Sequence, residues 1–220
     1  MGLGMLIAKG GIVRPELTGD KRLPHIWPYN REPFRQGLPM RKHPCPAIID
    51  IEASGFGAHS YPIEIGAVNA RGDRYCALIQ PQPDWTHWSE QAQRIHGIAR
   101  ELALNSGKPA RQVCAELNQF LGAITCYSDA WTHDSPWLTR LFFAGRTNPS
   151  FHLSPIELIA SEDQLLCWDE TKQRLQQQLA IRRHRASGDA YLIQQTYLAT
   201  RQLANCPTKV AERRAAGKGL

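Results

Sequence analysis

Two acidic residues, Asp50 and Glu52, close a short apolar run, Pro46-Ala47-Ile48-Ile49-Asp50-Ile51-Glu52. In a β-strand, residues i and i+2 project from the same face. The two carboxylates therefore stand side by side on an otherwise apolar strand. Like charges held that close repel and raise a pKa, and a cation between them removes the conflict. Hard carboxylate oxygens suit Mg²⁺ or Mn²⁺. Far along the chain, His184 and Asp189 share the segment His184-Arg185-Ala186-Ser187-Gly188-Asp189-Ala190. An imidazole, with an ordinary pKa of about 6.5, takes up a proton near neutrality. A carboxylate opening a helix is stabilised by exposed N–H groups and the helix dipole, and Gly188 permits a tight entry turn. Each pair alone has a plainer reading: a solvated strand end, and a surface histidine in the basic run Arg182-Arg183-His184-Arg185.

The elements that must bring these residues together are legible in the periodicity. Residues 46–52 form a buried strand, and Ser54-Gly55-Phe56-Gly57 makes a turn. Residues 63–70 and 74–80 read as two further strands joined by Arg71-Gly72-Asp73, an antiparallel meander. From Ser89 the pattern becomes helical, with Gly97 interrupting it. Pro109 opens a clearer helix, with Val113, Leu117, Phe120 and Leu121 on one face and Gly122 closing it. Residues 123–128 form a fourth strand. Helices then follow at 137–143, 169–183 and 189–203, the last with Ala190, Ile193, Tyr197 and Leu198 inward. Strands first, then strands alternating with helices, give an α/β layered architecture with a mixed sheet.

In this order, the motifs resemble those of the DEDDh 3′→5′ exonucleases, a family of the ribonuclease H-like superfamily. Asp50-Ile51-Glu52-Ala53-Ser54-Gly55 resembles the family's first motif, and Tyr61-Pro62-Ile63-Glu64-Ile65-Gly66-Ala67-Val68 the strand that follows it. Arg94-Ile95-His96-Gly97-Ile98 is similar to the family's His-Gly-Ile segment, and His184 to Ala190 matches the third motif, H-x-x-x-x-D-A. The resemblance covers roughly residues 46–203. The second motif departs from the pattern: Tyr127-Ser128-Asp129-Ala130-Trp131-Thr132-His133-Asp134-Ser135-Pro136-Trp137-Leu138 stands where the family has an Asn, two residues, an aromatic residue and Asp. Asp134 aligns best, because Trp137-Leu138 follows at the usual offset. Asp129, directly at the strand end, is the competing choice, with helix capping as its other role.

The resemblance implies a ribonuclease H-like mixed five-stranded sheet flanked by helices on both faces. It also implies a metal-dependent 3′→5′ exonuclease acting on the 3′ ends of single-stranded DNA or RNA. Two Mg²⁺ or Mn²⁺ ions roughly 3.5–4 Å apart would serve phosphodiester hydrolysis. Asp50 would bridge both ions, Glu52 and Asp189 would complete one site, Asp134 would support the other, and His184 would be the general base. Ala53, Ser54, Gly55, Phe56, His96 and Ile98 are implied to line the terminal nucleotide, Phe56 by stacking. Ala53 stands where the family commonly has a hydroxyl residue. Trp85, Trp88, Trp131 and Trp137 are further stacking candidates, and Arg140, Arg146, Arg182, Arg183 and Arg185 phosphate contacts. The resemblance admits a homodimer, which nothing in the sequence requires. A binding or partner-recruiting module with weak catalysis is the alternative, and a phosphodiesterase acting on very short oligonucleotides is a third reading.

Bulk properties agree with such a protein. The 220 residues carry a formal net charge of +6, which fits a polyanionic partner, although on charge alone a solvated basic surface is the preferred reading. The six cysteines form no CxxC pair, which argues against a structural zinc site and for free thiols in a reducing compartment. No run is long and apolar enough to span a membrane, and the chain reads as cytoplasmic. Residues 1–44 read as a loosely ordered extension, 45–205 as the exonuclease domain and 206–220 as a basic tail. Met40, just ahead of the first strand, is an alternative start.

Overall fold

The computed structural model describes residues 45–181 and 183–204. The expectations for residues 1–44, Arg182 and the basic tail lie outside that range. Five strands form one mixed sheet: β1 (Ala47–Ala53), β2 (Pro62–Val68), β3 (Arg74–Leu78), β4 (Thr125–Ser128) and β5 (His152–Pro155). Their order is β3-β2-β1-β4-β5. β1, β2 and β3 are the expected antiparallel meander, whereas β4 runs parallel to β1 and β5 parallel to β4.

Alternation along β1 decides which face each residue serves. Ala47, Ile49 and Ile51 enter the larger core. There they meet Val113, Cys114 and Leu117 of α3 (Ala110–Leu121) and Leu138, Leu141 and Phe142 of α4 (Trp131–Ala144). Ile48 faces the other way, into a smaller core with Val68 and with Ala190, Ile193 and Tyr197 of α7 (Ala186–Ala204). Helices thus cover both faces, and Asp50 and Glu52 continue the row of Ile48 on the α7 side. The side-chain amide of buried Gln194 donates to Pro46 O at 2.8 Å and Asn69 O at 2.9 Å, tying α7 across the start of β1 and the end of β2.

Several boundaries differ from the sequence reading, each for a local reason. The helical stretch after Ser89 is two helices, α1 (Glu90–His96) and α2 (Arg100–Ser106), because Gly97 takes a left-handed φ of 70° and ends the first. β5 is a strand that the pattern did not mark, since its four residues show no alternation. α4 begins at Trp131, six residues before the expected start at 137, because its first turns are polar and carry Pro136. α5 (Glu162–Leu165) is a single turn closed by a capping box between Ser161 and Gln164. α6 (Trp168–Gln178) stops short of residue 183, and Ala180 follows at a left-handed φ of 48°. α7 opens at Ala186, three residues early, so Gly188 lies inside the helix and the turn belongs to His184, at φ 60°. None of the described helices is long and apolar enough to cross a membrane.

Candidate active site

β1 is where the sheet's connections divide: β2 and β3 lie on one side of it, β4 and β5 on the other. In open α/β sheets ligands bind at the carboxyl ends of strands beside such a switch. A pocket of about 390 Å³ opens there, lined by Asp50, Glu52, Asp134, His184 and Asp189 together. The five residues come from β1, α4, α7 and the turn before α7. Side chains of Glu52, His184 and Asp189 each offer a ligand atom within 4.8 Å of the others.

The acids are held where their charges conflict. Asp134 is 1% exposed, and Asp189 is also buried. Burial, then the charges of Asp134, Glu52 and Asp189, hold the Asp50 carboxyl well above the usual carboxylate range. Burial pushes Glu52 up to about 8, with Asp189, Glu64 and Asp134 adding to it. Burial likewise pushes Asp134 up to about 7, against a hydrogen bond donated by Ser128 Oγ. One Asp189 oxygen, Oδ2, accepts the His184 N–H at 2.6 Å, while Oδ1 is buried with no protein partner. A buried, unpaired carboxylate oxygen among neighbouring acids is costly unless a cation or proton joins it. The donor set fits divalent cations on that count: hard oxygens, clustered acids and one unpartnered buried oxygen, Asp189 Oδ1.

His184 is pulled the other way. Burial first, then the nearby Arg183 charge, lower its pKa, so the ring is neutral near pH 7 and can accept a proton.

The two second-motif aspartates both line the pocket but are differently engaged. Asp134 turns to β1, taking the Ile51 backbone N–H and the Ser128 hydroxyl. Asp129 is tied up in an ion pair, its Oδ2 lying 2.5 Å from Lys172 Nζ on α6.

Of the residues implied to touch a terminal nucleotide, Ala53, Gly55, Phe56 and His96 line the pocket. Phe56 is 68% exposed and sits edge-on to His133 and beside Trp137, with ring centroids 5.4 and 6.3 Å away. His96 Nδ1 accepts the Ile98 N–H at 3.0 Å, so Nε2 carries the proton of the neutral ring, and that buried atom has no protein partner. Ser54 and Ile98 are elsewhere. Ser54 is fully buried: its Oγ accepts the Tyr61 N–H and lies 3.1 Å from His87 Nδ1, closing the loop between β1 and β2. Ile98 belongs to the core, and Ile95, one helical turn earlier, lines the pocket instead. The helix break at Gly97 accounts for the exchange.

Among the tryptophans, Trp137 lines the pocket, while Trp85 is a core residue stacked on Tyr61 at 5.1 Å. Arg140 lies over the Trp85 ring and donates to Ser60 O at 2.8 Å. Arg185 is turned onto Glu64 rather than left free for a phosphate. Sequence reasoning did not single out Lys172, His133, Ile95 or Glu64. The position of His133 directly before Asp134, where the family has an aromatic residue, was the available signal for that one.

No protein-family model matches the chain, and no curated protein matches it by sequence. The fold is shared with solved structures of E. coli Exonuclease I. One, reported as suggesting how processivity is achieved, is 15% identical with a TM-score of 0.55, covering 76% of this chain and 42% of that one. The complex with a dA16 oligonucleotide is 12% identical with a TM-score of 0.51, covering 67% and 38%. The zinc-ion-bound form of the complex with single-stranded DNA is 15% identical with a TM-score of 0.54, covering 71% and 40%. The chain thus spans less than half the length of these proteins. At such identities the likeness is one of fold, the ribonuclease H-like mixed sheet.

Proposed function

We propose that this chain is a metal-dependent 3′→5′ exonuclease that hydrolyses the terminal phosphodiester bond of single-stranded DNA or RNA. The observation that carries the reading is convergence. Asp50, Glu52, Asp134, His184 and Asp189, scattered over most of the described chain, line one pocket at the carboxyl end of β1. The same five positions are those implied by the motif resemblance. The fold shared with Exonuclease I, solved bound to oligonucleotides, supports single-stranded DNA as the first substrate to test.

Asp50, Glu52, Asp134 and Asp189 would hold the divalent ions, Mg²⁺ or Mn²⁺. Bound ions would supply positive charge to the scissile phosphate and make the attacking water more acidic. His184, neutral near pH 7, takes the proton of that water. Asp189 fixes the backbone of His184 through its N–H. The His96 Nε2–H, a donor without a protein partner, is directed to an oxygen of the terminal nucleotide. Phe56, with His133 and Trp137 behind it, offers a ring on which the base stacks.

The test is an assay on strands labelled at the 5′ end, single-stranded DNA and RNA in parallel, with Mg²⁺, with Mn²⁺ and with chelator. Stepwise shortening from the 3′ end, abolished by chelator, Asp50→Ala and His184→Ala, is expected. Binding of either strand without any cleavage in Mn²⁺ would refute the enzyme and identify a recruiting module on the same fold.

A further inference from the structure

We propose that Glu64 and Arg185 form a clamp that orients His184, making both positioning residues for the hydrolysis. The inference rests on the reading of His184 as proton acceptor. Among the described residues, no side-chain hydrogen bond holds the His184 ring. Catalytic bases are commonly oriented by a third group on the ring itself, so here the orientation must come from the backbone.

That backbone is pinned at both ends. On one side the His184 N–H donates to Asp189 Oδ2 at 2.6 Å. On the other, Glu64 of β2, 0% exposed, grips the two residues that follow His184. Arg185 donates to it through Nε at 3.1 Å to each oxygen and through Nη2 at 2.6 Å, and Ala186 N–H donates at 2.8 Å. Between these ties His184 has φ 60°, a left-handed conformation that a side chain disfavours and that persists only where the surroundings impose it. Gly66, two residues beyond Glu64 on β2, lets the start of α7 approach: a Cβ there would lie 2.2 Å from Ala186 C and Ser187 N. Glu64 is also the register partner of Glu52 on β1, so the clamp references His184 to the strand that carries the acids. A fully buried carboxylate needs such a partner. Its placement beside the turn, and not deep in either core, is what makes it a positioning device.

The experiment uses the full chain and four variants: Arg185→Met, Glu64→Gln with Arg185→Met, His184→Ala, and His184→Ala with Arg185→Met. The second removes both charges, so no buried ion is left unpaired if Arg185→Met alone folds poorly. Displacing a catalytic group by about 1 Å costs roughly 100-fold in rate. Arg185→Met, or the pair, is therefore expected to lower kcat about 100-fold with KM within about twofold. In the His184→Ala background the same change is expected to have no further effect. Independently of activity, amide exchange at His184 should quicken at least about tenfold in the pair variant, with amides in the middle of α7 unchanged. Additive losses with His184→Ala, or unaltered His184 exchange, would overturn the clamp. Wild-type protein that shortens no strand would sink the nuclease reading itself, a failure separable from the clamp because the exchange measurement needs no activity.

Discussion

Without divalent ions at pH 8, Glu52→Gln should be more stable than the native sequence, and at pH 5 it should not. Burial and the charges of Asp189, Glu64 and Asp134 push the Glu52 carboxyl from 4.5 up to about 8. Between those values the folded chain keeps a proton that the unfolded chain releases. The associated stability is present in full below about 4.5 and is lost as pH rises through about 8. Linkage gives about 1.4 kcal/mol for each pH unit in that window, so about 5 kcal/mol is the ceiling across it. Asp50, Asp134 and Asp189 titrate in the same pocket and share the relief, so one neutral substitution should recover about 2–3 kcal/mol. For a domain of this size that is roughly 5–10 °C in Tm. The assay is thermal unfolding in chelator at pH 5 and pH 8. Added Mg²⁺ or Mn²⁺ should raise the native Tm more at pH 8, because the ions replace protons, and should raise the variant's less. A gap between variant and native chain that is the same at both pH values would refute the electrostatic account of the pocket.

Four further outcomes are expected. His184→Ala should lower kcat about 10²–10⁴-fold while the Tm stays within a few degrees, measured by single-turnover cleavage and calorimetry. Phe56→Ala should raise KM for a single strand about tenfold and leave stability unchanged, since the ring is 68% exposed; an unaltered KM would remove Phe56 from the substrate path. Gly66→Ala should cost about 3 kcal/mol or more in chemical denaturation and abolish cleavage, because its Cβ would lie 2.2 Å from the backbone of α7. Ser54→Ala should cost about 1–3 kcal/mol by stranding the Tyr61 N–H, with KM unchanged; a KM effect without a stability effect would return Ser54 to the substrate.

The first four strands were legible because alternation and apolar runs mark them. β1 carries both acids in its last four residues, β2 is apolar throughout save for Glu64, and the i, i+2 rule by itself puts Asp50 and Glu52 on one face. The third motif was legible from its spacing. β5 was not, because its four residues are paired on one side only and lack a pattern. Ile95 and Ile98 could not be told apart, since the helix break at Gly97 decides which of two apolar side chains faces the pocket. Ser54 was expected at the substrate because the resemblance places the segment after D-x-E there; its burial follows from the loop between β1 and β2, where it meets Tyr61 and His87. Glu64 and Lys172 were invisible because their partners, Arg185 and Asp129, are remote in sequence. Long-range ion pairs leave no local trace, whereas periodicity does.

The dependence of the pocket on α7 has a consequence for how the protein is made. Asp50, Glu52 and Asp134 leave the ribosome well before residues 184–189. Until α7 is synthesised, Ile48 and Val68 lack the cover of Ala190, Ile193 and Tyr197, and the acids lack Asp189 and His184. The five pocket residues are therefore assembled only when the last described helix is made, and the site and the second core are completed in the same step.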